Sequence, residues 1–149
     1  NNLMKCSYKW ELVRLLSKPK LNKRMKKSVA HFDGNYKLVR LATAPGGAYA
    51  YIITRKGAKK LLKAMDNIWC PVDTIMGQPW RTGLEVLTIM PPIATWDQSF
   101  ESAIGDARFK KRKLLGWRKI ILPFSRFCFK IFDGSYRKYF YFKNYFKSK

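Results

Sequence analysis

Carboxylates are scarce in this chain: nine Asp and Glu stand against 31 Lys and Arg in 149 residues. The acids of the central region are Asp33, Asp66, Asp73, Glu85, Asp97, Glu101 and Asp106, and no two of them form a DxD or DD pair. Mg2+ and Mn2+ prefer hard oxygen ligands, and a metal–diphosphate site usually takes clustered carboxylates. No such cluster is written here. No P-loop, GxGxxG or GxSxG motif occurs, and His31, the single histidine, has no recognisable Ser or Cys partner, so a nucleophilic triad has no support. Cys6, Cys70 and Cys128 are odd in number, widely spaced and without a CxxC, which reads as free thiols in a reducing compartment and not as a zinc site or disulfide framework. What remains is one stretch, Gly46 to Asp73, GGAYAYIITRKGAKKLLKAMDNIWCPVD. It brings a glycine pair, a cation pair (Arg55 and Lys56) and a carboxylate (Asp73) close together along the chain.

The elements that must position these groups follow from the pattern. Ala44-Pro45-Gly46-Gly47 turns the backbone, and Ala48–Thr54 is rich in aromatic and β-branched residues, so a strand is predicted. Thr54 is a good N-cap, and Ala58, Leu61, Leu62 and Met65 fall at i, i+3, i+4 and i+7, the apolar face of a helix of about three turns. Arg55 and Lys56 sit in its first turn, against the sense of the helix dipole. Either an anion docks at that helix start, where free N–H groups point, or both side chains are simply solvated. Asp73 is placed to cap a short segment, Thr74–Gly77.

Around this stretch, Trp10–Leu16 and Tyr36–Ala42 alternate apolar and polar residues as half-buried strands do, and the two could pair or neighbour each other in one sheet. Lys18–Ser28 reads as a basic loop, Asp33-Gly34-Asn35 as a turn, and Leu84–Ile89 as a strand stopped by Pro91-Pro92. Gln98–Arg108 is polar and turn-rich. Strand, helix and strand with short connections predict an α/β sheet.

The charge of +22 is unevenly spread. Residues 1–28 hold nine Lys/Arg and one acid, residues 29–107 eight and seven, and residues 108–149 fourteen and one. A near-neutral core thus carries two basic flanks, and such a field attracts polyanions generally. Beyond Phe109, twelve aromatics between Trp117 and Phe146 interleave with Lys and Arg. One or two short amphipathic segments are predicted, with Pro123 ending an apolar run and Asp133-Gly134-Ser135 making a turn. Aromatic-plus-basic segments suit a membrane interface. Single-stranded nucleic-acid binders also pair these residue types, but the Gly-rich RNP and KH patterns are absent, so nucleic acid is disfavoured; ordinary packing or a disordered end is the other alternative. The N-terminus lacks the apolar region of a signal peptide, and no apolar run approaches the ~20 residues of a membrane span.

Three segments together resemble glycosyltransferase family 25, the lipooligosaccharide-biosynthesis and procollagen-galactosyltransferase group. They are WELVRL at Trp10–Leu15, similar to a WDLVKL-type strand; GAYAYIITRKGAKKLL at Gly47–Leu62 followed by Pro71-Val72-Asp73; and the Pro91-Pro92 corner with QSFESAIGDAR downstream. The resemblance spans about residues 10–108 in the family's order.

It implies a GT-A-like, nucleotide-diphospho-sugar transferase fold, a mixed sheet with flanking helices, and transfer of a hexose, commonly galactose, from a UDP-sugar to a lipooligosaccharide or LPS core glycan. In such enzymes an LEDD-type acidic motif precedes the WDLVKL-type strand. The chain starts at Asn1, without that motif, and therefore reads as the C-terminal part of a transferase, inactive alone. Mn2+ or Mg2+ is implied for the full enzyme, with ligands outside this chain and no metal-binding residue within it. Residues 1–108 are read as the transferase portion and 109–149 as a basic aromatic tail. On the resemblance, Asp73 becomes the group that takes the proton from an attacking acceptor hydroxyl, with helix capping as its alternative role. Gly46 and Gly47 either let a ligand approach the backbone or only make the turn. Arg55 and Lys56 would meet donor phosphate or an acidic acceptor, and Gln98 and Ser102 sugar hydroxyls. The implied partners are a UDP-hexose donor, a lipid-linked oligosaccharide acceptor and an anionic membrane surface met through 109–149. The implied location is cytoplasmic, peripheral on the inner face of the membrane. The competing reading is a non-catalytic basic module binding membrane or nucleic acid, or a decayed remnant.

Overall fold

The structure, a computed structural model, describes residues 3–16, 25–44, 46–67, 70–94 and 116–147. Five strands, β1 (Leu12–Arg14), β2 (Lys26–His31), β3 (Lys37–Leu41), β4 (Tyr51–Ile53) and β5 (Val86–Met90), form one mixed sheet in the order β2-β3-β5-β1-β4. Among these five strands β1 and β5 run parallel, and the other pairings are antiparallel. The helices are α1 (Arg55–Ala64), α2 (Val72–Met76), α3 (Pro79–Thr82) and α4 (Arg118–Lys147).

The alternation of residues along the strands separates two packed faces. Leu12 meets Leu61 and Ala64 of α1, Ile75 and Met76 of α2, and Leu84, which makes the helix-covered core. Val13, Leu38, Leu87 and Ile89 point the other way, where Leu3, Tyr8, Trp10 and Phe32 cover them. The two early alternating runs do share the sheet, but β5 lies between them. A strand about fifty residues further on wins that central place because Leu87 and Ile89 are apolar on the face that β1 and β3 both need covered.

Two local expectations are corrected here. Lys26–Ser28 is not loop but the start of β2, which pairs with β3 across a turn in which Gly34 and Asn35 take φ of 71° and 63°. An edge strand tolerates lysines because its outer side faces water. The inward face of α1 is Gly57, Leu61 and Ala64, while Leu62 is 67% exposed. A Cβ on Gly57 would stand 2.6 Å from the Glu11 carbonyl oxygen, so that glycine lets α1 lie close on the chain entering β1 and sets its rotation. The Thr54 cap is as predicted, its hydroxyl accepting from the Gly57 N–H at 3.1 Å.

The C-terminal region departs furthest from expectation. In place of one or two short segments and a turn there is a single 30-residue helix, with Pro123 and Gly134 inside it. Asp133 cannot shape a turn because its carboxylate is taken. Trp80 Nε1 donates to one oxygen at 3.0 Å, and Arg137, one helical turn on, pairs with the other at 2.7 Å. Among the described residues no helix is long and apolar enough to cross a membrane.

Candidate functional site

β1 ends at Arg14, whose register partners are Thr88 of parallel β5 and Tyr51 of β4. In open α/β sheets the crevice outside the carboxyl ends of parallel strands is where ligands settle. Arg14 is only 3% exposed. Its Nη1 donates to the Gly47 carbonyl at 2.5 Å and makes a longer contact, 3.4 Å, with that of Gly46. Its Nε and Nη2 are buried without a hydrogen-bond partner among the described residues, as is the hydroxyl of fully buried Thr88. Burial pushes the Arg14 pKa down, while the Asp73 carboxylate and then Tyr51 pull it back up. An arginine stays charged through such a shift.

Gly47 joins this cation to Asp73. Its carbonyl accepts from Arg14, and its N–H donates to Asp73 Oδ2 at 3.0 Å. Only glycine fits there: φ is +86°, and a Cβ would fall 2.0 Å from the Tyr49 ring. Gly46 carries no such demand, since a Cβ on it meets nothing within 4 Å. Asp73 is the second residue of α2 and makes no capping bond, so the cap expectation is corrected; Pro71 occupies the cap position. Among the described residues its second oxygen, Oδ1, meets only the Thr74 hydroxyl, at a long 3.4 Å. One carboxylate oxygen is therefore anchored and the other is held weakly, at a half-buried position.

The remaining sequence candidates lie elsewhere. β4 runs antiparallel to β1, with Ile53 opposite Leu12, so α1 starts at the amino end of β1, away from Arg14. There Arg55 is exposed, and Lys56 approaches Glu11 at 3.5 Å. Lys60 Nζ donates to both Glu11 oxygens at 2.6 and 2.7 Å. Lys56 at that helix start thus meets the chain's own acid, beside Lys60 one turn on. Gln98 and Ser102 lie outside the described residues. The structure brings together Gly46, Gly47 and Asp73, and adds Arg14 and Thr88. The signal for Arg14 was its parity: in WELVRLL it alternates in phase with Leu12 and Leu16, which puts a charge on an inward face.

No three His, Cys, Asp or Glu side chains come together among the described residues. The donor set beside Asp73 does not fit a divalent cation.

Fold and site together define a mixed α/β protein with a buried cation and a half-anchored carboxylate at the carboxyl end of its one parallel strand pair. Residues 5–76 match the family model of glycosyltransferase family 25 (LPS biosynthesis protein), which bears out the resemblance over that stretch. The match takes in β1 to β4, α1 and α2, and with them Arg14, Gly46, Gly47 and Asp73. The Pro91-Pro92 corner and Gln98–Arg108 lie beyond it. The family is one of glycosyltransferases of lipopolysaccharide biosynthesis. No curated protein and no solved structure matches the chain.

Proposed function

We propose that this chain is the acceptor-side part of a GT-A-type hexosyltransferase, with Asp73 as its general base. The hexose, galactose in the simplest reading, comes from a UDP-sugar and goes to a lipid-linked core oligosaccharide. The acceptor hydroxyl attacks the anomeric carbon, the bond from that carbon to the diphosphate oxygen breaks, and UDP leaves with the electron pair. The hydroxyl proton passes to Asp73 Oδ1. Gly47 N–H holds Oδ2, so the base is aimed without losing the oxygen that works. Arg14 fixes the Gly47 peptide from below and balances the carboxylate charge, which makes it a positioning residue.

The observation that carries this reading is a coincidence of two independent findings: the family match covers the same segment in which Asp73 is anchored by one oxygen only. Donor diphosphate and its Mn2+ or Mg2+ are assigned to an acidic motif outside the described residues, so the chain alone is inactive on this account. Residues 1–108 serve transfer and 109–149 serve attachment to the cytoplasmic face of an anionic membrane, where a lipid-linked acceptor resides. Release of UDP from UDP-galactose with Mn2+, by a protein carrying both the acidic motif and this chain, tests the reading. Absence of release in that longer protein would sink it.

A further inference from the structure

Helix α4, about 45 Å long, is held by one face among the described residues. Trp80 of α3 bonds Asp133 and meets the rings of Phe129 and Phe132 edge-on. Tyr141 is 5% exposed. Arg40 donates to the Asn144 carbonyl at 2.9 Å and Lys27 to that of Tyr145 at 3.0 Å. Cations there also suit the negative end of the helix dipole. The docked positions Asp133, Arg137 and Asn144 share one side of the helix at its 100° repeat. On the opposite side fall Trp117, Ile121, Phe124, Ile131, Phe142 and Phe146, all exposed, with Phe124 at 67% and Phe146 at 69%. The helix has docked by its mixed polar face and turned its most apolar stripe outward.

A stripe of that length facing water marks an interaction surface. Charge selects the occupant. Arg118, Lys138 and Lys143 flank it, Lys119, Arg126 and Lys130 lie toward the docked side, and the one acid between 108 and 149, Asp133, is turned inward and engaged by Trp80 and Arg137. A second copy of α4 would set cation against cation, whereas a negatively charged lipid surface neutralises them at roughly 1 kcal/mol per basic residue close to it. Aromatic rings with basic neighbours belong at the interface of a bilayer.

We infer that α4 lies in the plane of an anionic bilayer, its Trp117–Phe146 stripe sunk past the headgroups, its flanking Arg118, Lys138 and Lys143 at the phosphates, and its docked face carrying the sheet on the water side. This gives the membrane placement proposed above a specific surface, and its test reads binding alone. A failed transfer assay leaves it standing, and a failed binding assay leaves the transferase reading standing.

Cys128 lies on the stripe and is exposed, so a polarity-sensitive dye can be attached there in the full chain carrying Cys6→Ser and Cys70→Ser. With vesicles of equal parts phosphatidylcholine and phosphatidylglycerol, the dye emission should shift to the blue and the protein should float with the lipid. Both effects should vanish with phosphatidylcholine alone and weaken steeply with salt. A dye moved to the polar side, by Lys130→Cys with Cys128→Ser, should show no shift. Phe124→Ser with Phe142→Ser, both facing away from the docked surface, should lower vesicle affinity roughly a hundredfold. Equal shifts at the two dye positions, equal binding to neutral vesicles, or emission already blue without vesicles would each overturn the inference. The last result would mean that protein, from this chain or a second copy, covers the stripe.

Discussion

Arg14 and Arg40 are buried to nearly the same degree, 3% and 2% exposed, on the same five-stranded sheet. Their surroundings differ entirely. Arg40 uses all three of its nitrogens: Nε meets the Glu85 carboxylate, Nη2 the Tyr8 hydroxyl and Nη1 the Asn144 carbonyl. Arg14 uses one nitrogen and leaves two buried without a partner. A buried cation with every donor engaged fastens elements together, here the N-terminal segment, β3, the entry to β5 and α4. One left half-satisfied costs stability at its site, and natural proteins tolerate such costs chiefly where function requires them. The two ends of the parallel strand pair are therefore different in kind. The amino end is ion-paired structure, and at the carboxyl end a buried cation keeps two donors unpaired among the described residues.

The comparison can be broken by substitution. Arg40→Ala should be the most damaging, because it strands the Glu85 carboxylate and unfastens α4; about 3–5 kcal/mol of stability should go, read by urea unfolding. Gly47→Ala should cost about 2 kcal/mol for a side chain at positive φ, and the same denaturation series at Gly46→Ala should show almost none. A loss at Gly46 as large as that at Gly47 would mean that the turn as a whole, and not the Gly47 peptide, is constrained.

Tyr8 sharpens the amino-end half by pH. Burial, then the Glu85 charge, push its pKa up from 10.0 to about 12. The folded state thus holds this proton more tightly than the unfolded chain. The stability it contributes is full below pH 10.0 and is lost as pH climbs toward about 12. Thermal melts across that range should show the decline, and Tyr8→Phe should flatten it. The stability change at Arg14→Met should be smaller than at Arg40 or Gly47, within about 1 kcal/mol of wild type, since it removes a charge most of whose donors are unused. Transfer activity in the same variant should nevertheless fall at least about tenfold as the Gly47 peptide loses its anchor. A variant that unfolds, or one that works normally, would make Arg14 a second Arg40.

Much of the frame was legible in the residues. Thr54 as a cap, the glycine turn and the alternating runs are local signals, and local signals survive folding. What stayed hidden depends on partners distant in sequence. β5 enters between β1 and β3 from some fifty residues downstream, and lysines disguise the start of β2. Pro123 and Gly134 argue locally for breaks in α4, yet Trp80 and Arg137 claim Asp133 and the helix runs on. At the site, Asp73 and Gly47 were both singled out, but the bond between them spans 26 residues and no spacing rule foretells it. Arg14 was readable only as a charge in phase with inward leucines. Arg55 and Lys56 belong to the same stretch as Gly47 and Asp73, yet the antiparallel return of β4 carries them to the other end of the sheet.

The central claim is that Asp73 is a base held by one oxygen and working with the other. Asp73→Asn keeps an oxygen for the Gly47 N–H and removes the capacity to take a proton. The decisive measurement is kcat for UDP release from UDP-galactose with acceptor present, in the longer protein, for Asp73→Asn beside Glu11→Gln at the far end of β1. The account predicts a fall of roughly 10²–10⁴ in the first with an unchanged unfolding midpoint, and less than about a twofold change in the second. Comparable kcat values for Asp73→Asn and wild type would contradict it.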